Sequence, residues 1–341
     1  MKHVLLIGGA GYVGSALTLH LLKEGIKVTV LDNFVYGNHA SVTPFLGDKL
    51  YTLINGDLGA HEDLARASEG VTDVVVLGGL VGDPITKTYP AESDAINSRG
   101  IQACIDFFDD KQIDKLIFIS TCSNYGLITG DNVADENYQL SPLSLYAKAK
   151  VAGEQYLMSK KGSVSYTGVV LRFATAFGIS SRMRFDLSIS EFTRDLYFGK
   201  ELLVFDEHTW RPYCHIRDFS RLISIVLKAD KQKVDFQVFN AGGDVNNYTK
   251  KMIVDAICTH IPDAKVKYGV NGSDPRNYRV SFEKVKTVLG FEPAFTVEAG
   301  IVELIEAFKA GIFGDSLEAK EKYGNYTLEY KIAANEVSAG H

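Results

Sequence analysis

Tyr146 and Lys150 stand four residues apart in Tyr146-Ala147-Lys148-Ala149-Lys150. On a helix that spacing puts the phenol and the ammonium on one face, one turn apart, while Lys148 points elsewhere. A phenol titrates near ~10 and is a poor base at neutral pH, but a neighbouring cation favours its anion. Tyr146 could then accept a proton from an alcohol. Tyr-x-x-x-Lys also arises by chance on exposed helices, so its meaning depends on what lies beside it.

The hydroxyl-rich segment Ser120-Thr121-Cys122-Ser123-Asn124-Tyr125-Gly126 follows an apolar run at 116–120. At the C-terminal end of a parallel strand it would face a binding crevice, where the Thr121 hydroxyl could bridge a substrate oxygen and Tyr146. Cys122 and Ser123 are then further candidate substrate contacts. Taken alone, the segment is equally an ordinary hydroxyl-rich turn.

A redox partner is suggested upstream, where Gly8-Gly9-Ala10-Gly11-Tyr12-Val13-Gly14 joins a first strand to a helix. Gly8, Gly11 and Gly14 permit a tight turn and close approach of a pyrophosphate, with the backbone at Tyr12 and Val13 opening the helix. Asp32 closes the second strand at roughly the ~20-residue spacing of an acid that binds the adenosine ribose, with Asn33 beside it. That carboxylate would repel a 2′-phosphate, favouring NAD over NADP. Asp57 and Leu58 follow the third strand toward the adenine, although an Asp there is also common turn chemistry. Lys150 could in addition hold the nicotinamide ribose.

These residues need a scaffold that brings strand ends together. Apolar runs at 4–7, 28–31, 52–54, 74–77 and 116–120 alternate with helical patterns at 15–23 and 97–108, which implies a parallel sheet covered on both faces. The strands are continuously apolar, as burial on both faces requires. A helix over 145–160 leads into a strand at 167–173. Val238-Phe239-Asn240-Ala241-Gly242-Gly243 resembles one more core strand. The expected architecture is α/β, a doubly wound parallel sheet (Rossmann) with a smaller interleaved C-terminal substrate lobe. Residues 1–171 plus about 213–243 would form the NAD-binding unit, and about 172–212 plus 244–318 the substrate lobe. The segment 319–341 reads as a polar tail.

Composition sets the outer limits. With 341 residues, 46% apolar and 23% charged, the chain reads as a soluble globular protein. A net charge of −6 without any Lys/Arg-rich run argues against nucleic acid as partner. The first strand begins almost at Met1 and no apolar run approaches ~20 residues, so a cytoplasmic location without signal peptide or membrane span is expected. Cys104, Cys122, Cys214 and Cys258 lack zinc or redox spacing, so thiols and no metal are expected.

Taken together the motifs resemble the extended short-chain dehydrogenase/reductase family, specifically its NAD-dependent nucleotide-sugar epimerases, dehydratases and dehydrogenases. The likeness runs from Gly8 to about Gly314 and includes, in order, the glycine loop, Asp32, Asp57-Leu58, Asn97, the Thr121 segment, Tyr146/Lys150 and the run from Arg172 to Gly178. It implies a cofactor role for Asn97 and a homodimer built on the 97–108 and 145–160 helices. It also implies that Arg211 and Arg276 grip the diphosphate of a nucleotide-diphosphate sugar, a role suited to a forked, permanently charged guanidinium; either could instead be an ion-pair partner. Arg182 and Arg184 lie in a segment that could add sugar or phosphate contacts or be a solvated basic turn. His215, in a strand-like run, reads as core.

Departures from the family pattern narrow the chemistry. The 4,6-dehydratases carry Asp-Glu directly after the residue matching Thr121, and here those places are Cys122 and Ser123, so elimination lacks its acid and base. The 3,5-epimerase type has its Cys at the position of Ser123, so Cys122 is misaligned and reads as structural. Thr175 stands where relatives place an Asn for the diphosphate, and Leu77-Gly78-Gly79-Leu80 lacks the usual His-x-Ala-Ala. The run from Arg172 to Gly178 combined with that from Arg182 to Leu187 is similar to the branch holding GDP-manno-heptose 4-dehydrogenase. The resemblance thus implies oxidation at C4 of the sugar, first as a 4-epimerase like UDP-glucose 4-epimerase, alternatively as a 4-dehydrogenase or keto-sugar reductase. A non-catalytic NAD-binding regulator is the reading of another class, against which the intact Tyr146/Lys150 pair speaks.

Overall fold

The computed structural model describes residues 2–330 except 271, 273 and 275. Pro275, which precedes Arg276, and 331–341 of the expected tail lie outside the described residues.

In chain order the described strands are β1 (His3–Ile7), β2 (Lys27–Asp32), β3 (Tyr51–Asn55), β4 (Asp73–Val76), β5 (Lys115–Thr121), β6 (Val133–Ala134), β7 (Thr167–Phe173), β8 (Thr175–Phe177), β9 (Leu202–Phe205), β10 (Trp210–His215), β11 (Gln237–Ala241), β12 (Asn247–Thr249), β13 (Val266–Gly269) and β14 (Arg279–Val280). Seven of them form one sheet in the order β11-β7-β5-β4-β1-β2-β3, with every neighbouring pair parallel. The uninterrupted apolar runs explain this arrangement. Along β1, Val4 and Leu6 enter one core cluster with Val30, Ile117 and Leu171, while Leu5 and Ile7 enter another with Val74, Val76 and Phe118. Each face of the sheet therefore has its own buried layer, which is what doubly wound topology demands.

The chain leaves β1 toward β3 on one side and returns to β4 on the other. This reversal opens a crevice beyond the C-terminal ends of β1 and β4. Registers Ile7↔Leu31, Ile7↔Val76 and Thr121↔Phe173 bring the ends of five strands to this edge. A second lobe is built from the β12-β10-β8 sheet and the β13-β9 pair, over a core that includes Phe177, Phe185, Ile189, Leu304 and Phe308.

Local structure departs from the sequence reading at three places. The first helix spans Tyr12–Lys23 with Gly11 as its N-cap, so it begins inside the glycine loop rather than after it. The second expected helix starts at Asp94 with wide π-type winding to Gly100 and continues as Ile101–Phe107. The third correction concerns the polar tail, whose described part is packed. Tyr323 and Asn325 are buried, and Leu328 and Tyr330 rest on the core beneath the large sheet. Asn325 there bonds Arg182 and the Val81 carbonyl inside the fold, so its polarity did not mean solvent. Among the described residues no helix is long and apolar enough to cross a membrane.

Candidate functional site

A cleft of about 630 Å³ occupies the crevice between the lobes. Its floor is the glycine loop. Gly8 has φ 78°, and a Cβ there would lie 2.5 Å from Gly78 Cα; a Cβ on Gly14 would lie 2.6 Å from the Gly9 carbonyl oxygen. Only glycine lets these backbones meet. The helix that follows has no side-chain cap and no acid in its first turn, so its leading amides remain available to an anion.

Asp32 is fixed by the same loop, its two carboxylate oxygens accepting from the Ala10 and Phe34 amides, each at 2.9 Å. Each oxygen keeps a further lone pair for a ribose hydroxyl. Gly11, Tyr12, Val13, Asn33 and Leu58 also line the cleft. Asp57 is not in its wall: its carboxylate accepts from the Asn33 amide at 2.9 Å and from the Gly59 N–H at 2.8 Å, bracing Asn33. Asn97 is likewise a brace. Its side-chain amide bonds both the N–H and the C=O of Leu80, at 2.8 and 3.0 Å, and pins the segment after β4. The loop, the free helix start and Asp32 together fit the pyrophosphate and ribose of a dinucleotide.

The Leu145–Ser159 helix starts where it does because the Ser144 hydroxyl accepts from the Ala147 amide at 3.1 Å. That cap sets Tyr146 in the first turn, facing the cleft, with Lys150 one turn below it and Lys148 exposed. The Thr121 hydroxyl at the end of β5 lies beside the Tyr146 phenol and acts against its upward shift. Lys150 Nζ donates to the Ile119 carbonyl at 2.9 Å. Burial pulls the Lys150 ammonium down to about 8, Glu154 opposing the shift. Burial pushes the Tyr146 phenol up, with Arg184 acting against it and Asp83 adding to it.

Behind the pair lies a buried network that the sequence reading missed. Glu154, 3% exposed, accepts from the Ser120 hydroxyl, from Asn124 at 2.7 Å and from Arg172 at 2.8 Å. Arg172 also donates to the Tyr125 hydroxyl, which donates to Asn240 on β11. The network joins the β5 end, the Tyr146 helix, β7 and β11, so it holds Thr121 and Tyr146 in register. Glu154 follows Lys150 by one further turn, and two charges on an inward helix face were the available signal. Cys122 belongs to this buried side. The tight turn Cys122–Tyr125 rotates its thiol inward onto the Arg172 carbonyl and leaves Ser123 in the cleft wall, bonded to Tyr278 at 3.2 Å.

The second lobe closes the cleft. Thr175, Arg182, Arg184, Arg211 and Arg276 all line it. Arg211 and Arg276 converge on Asp274, at 3.0 and 2.8 Å, and Arg276 also pairs with Asp83 at 3.1 Å. Burial would push the Asp274 carboxyl up, but these guanidinium groups outweigh it and hold it well below the usual range. Arg184 is paired with Asp186 at 2.6 Å. Tyr278 lines the cleft too, and Lys250, Asn325 and Tyr326 are cleft residues that the sequence reading did not single out. His215 is buried and bonds Glu303, as a core histidine does.

The family described as "NAD dependent epimerase/dehydratase family" matches residues 4–242. UDP-glucose 4-epimerase from Corynebacterium glutamicum is 27% identical over 338 residues, covering 94% of this chain and 99% of that protein. A dTDP-glucose 4,6-dehydratase from Streptomyces niveus is 26% identical over 330 residues, covering 90% and 92%. Among solved structures, UDP-glucose 4-epimerase from Thermotoga maritima with UDP-glucose superposes with a TM-score of 0.80 at 24% identity, covering 91% and 99% of the two chains. UDP-glucuronic acid 4-epimerase from Bacillus cereus, in complex with UDP-glucuronic acid and NAD, superposes with a TM-score of 0.79 at 23% identity over 91% and 99%. These two superpositions show a common fold.

Proposed function

Because the chain belongs to the NAD-dependent epimerase/dehydratase family, we propose that it oxidises C4 of a nucleotide-diphosphate sugar to a 4-keto intermediate and acts as a nucleotide-sugar 4-epimerase. The observation that carries this reading is the grouping of Tyr146, Thr121 and Lys150 on one wall of the cleft, without an acid–base pair beside Thr121. Cys122 is turned away and Ser123 is a hydroxyl, so elimination of water has no general acid or base there. Similarity to the Streptomyces niveus dehydratase therefore supports the shared oxidation step and not the elimination.

NAD supplies the hydride acceptor. Tyr146, as phenolate, takes the proton of the C4 hydroxyl, and Thr121 orients that oxygen. Lys150, anchored on Ile119, favours the phenolate by its charge. Arg211 and Arg276 would turn to the substrate diphosphate, exchanging the carboxylates of Asp274 and Asp83 for phosphate oxygens. Rotation of the keto sugar about its diphosphate linkage would then turn the opposite face of C4 to the cofactor side of the cleft, where the bound dinucleotide would supply the hydride, and Tyr146 would give the proton back to the C4 oxygen.

Incubation of the purified protein with UDP-, GDP-, CDP- and dTDP-sugars, followed at 340 nm and by product identity, tests this. Interconverted C4 epimers without accumulating NADH are expected. A 4,6-dehydrated product, or no conversion of any sugar, would overturn the reading; stoichiometric NADH with a released keto sugar would mark the dehydrogenase instead.

Asp32 sets the cofactor preference in the same account. Asp32→Ser removes the charge that repels a 2′-phosphate while its hydroxyl still faces the Ala10 and Phe34 amides. Calorimetric titration should show NAD binding weakened about tenfold, or ~1.4 kcal/mol, and NADP binding newly measurable. An unchanged NAD-to-NADP ratio would contradict the assignment.

A further inference from the structure

Arg182 has a pairing pattern unlike the other cleft arginines. Its backbone segment is rooted on the first turn of the Tyr12–Lys23 helix: Tyr12 Oη donates to the Gly178 carbonyl at 2.5 Å, and the Ser180 hydroxyl donates to the Tyr12 carbonyl at 2.8 Å. The Arg182 amide in turn donates to Ser180 Oγ at 3.3 Å. The side chain, 6% exposed, lies over the Tyr36 ring with 5.2 Å from Cζ to the centroid. Arg184 takes Asp186 and Arg276 takes Asp274 and Asp83, whereas Arg182 makes no ion pair with a carboxylate among the described residues. Its Nη2 donates to the Gly324 carbonyl at 3.0 Å and to Asn325 Oδ1 at 2.8 Å, and Nη1 has no hydrogen-bond partner among the described residues.

A buried guanidinium with an orphan N–H is costly unless an anion completes it. Burial and the like charge of Arg184 pull Arg182 down to about 10, consistent with a cation short of counter-charge. Arg182 lines the same cleft as Gly11, Tyr12 and Val13 at that helix start, so an anion held there would draw on both its charge and the free amides.

The segment that grips Arg182 from behind also reaches the loops around that position. Asn325 Nδ2 donates to the Val81 carbonyl at 2.9 Å, beyond β4, and the Glu329 amide donates to the Val35 carbonyl at 2.9 Å, beyond β2. One stretch of chain thus ties together the loops following β2, β4 and β8.

We propose that Arg182 clamps the pyrophosphate of the bound dinucleotide, rather than the substrate, and that residues 323–330 form a strap that holds this clamp and retains the cofactor. The inference rests on the family reading of the cleft. The rival source of the same anion chemistry is the substrate diphosphate, whose candidate arginines are pinned around Asp274.

The test uses the full-length protein freed of nucleotide, with NAD, UDP and GDP titrated separately. Arg182→Ala should weaken NAD at least tenfold, and Asn325→Ala, which loosens the strap without removing charge, about threefold, while UDP and GDP binding stays within twofold. Loss of UDP or GDP affinity with NAD unchanged would assign Arg182 to the substrate. Equal losses for all ligands, or none, would also overturn the clamp. If Arg182→Ala does not fold, the off-rate of NAD from Asn325→Ala decides: a rate like that of the unaltered protein contradicts the strap. Failure of the unaltered protein to bind NAD would instead defeat the proposed function itself.

Discussion

Tyr146→Phe is expected to lower kcat about 10³-fold, or ~4 kcal/mol of transition-state stabilisation, while leaving NAD affinity within twofold. The substitution deletes one oxygen that faces Thr121 in the cleft wall and anchors no element of the described fold, so the fold has little to lose. The chemistry loses its proton acceptor. Burial works against both members of the pair, pushing the Tyr146 phenol up and pulling Lys150 down to about 8. The phenolate is therefore useful only while cationic charge is close by. Activity should accordingly fall on the alkaline side as Lys150 loses its proton above about pH 8. Initial rates on a converted nucleotide-sugar, with NAD occupancy measured in parallel, check the first expectation; a variant retaining a tenth of the activity would contradict it.

Glu154→Ala should be the most destabilising single change near the site, by roughly 3–5 kcal/mol, because it leaves the Arg172 charge buried without its counter-ion. Ser120 and Asn124 also lose their acceptor. Urea unfolding measures this as a shift in midpoint. A loss under about 1 kcal/mol would mean that the network is relaxed or wet and does not hold β5 against the helix. Glu154→Gln keeps the size and one acceptor oxygen, and it isolates the electrostatic effect. Glu154 opposes the fall of Lys150, so in this variant Lys150 should deprotonate at lower pH and the alkaline limb should move down.

Local features were read from the sequence where one residue type is physically forced. Gly8 and Gly14 are required by backbone contacts that a Cβ would block, and the unbroken apolar runs permit little except strands buried on two faces. Tyr146 and Lys150 were findable because helix spacing relates them directly. What escaped depends on partners far apart in the chain. Glu154 gains its meaning from Arg172 and Asn124, and Asn325 from Val81 and Arg182. A polar segment such as 319–330 looks solvated until those partners are known. Asn97 and Asp57 lie next to the cleft as the family pattern suggests, but their side chains are spent on Leu80 and Asn33. Cys122 is displaced by a single turn at the end of β5, a rotation that spacing in the sequence does not reveal.

The central claim is that hydride leaves C4 of the sugar and returns to it, with Tyr146 moving the proton. It is tested most directly by giving the NAD-loaded protein a converted nucleotide-sugar deuterated at C4 and locating the label in the product by mass and NMR. The account requires deuterium at C4 of the epimer, with no exchange into solvent and a slowed turnover if hydride transfer limits the rate. Protium at C4, with the label released to water, would mean that the bond to hydrogen at C4 is broken as a proton transfer, and would contradict it.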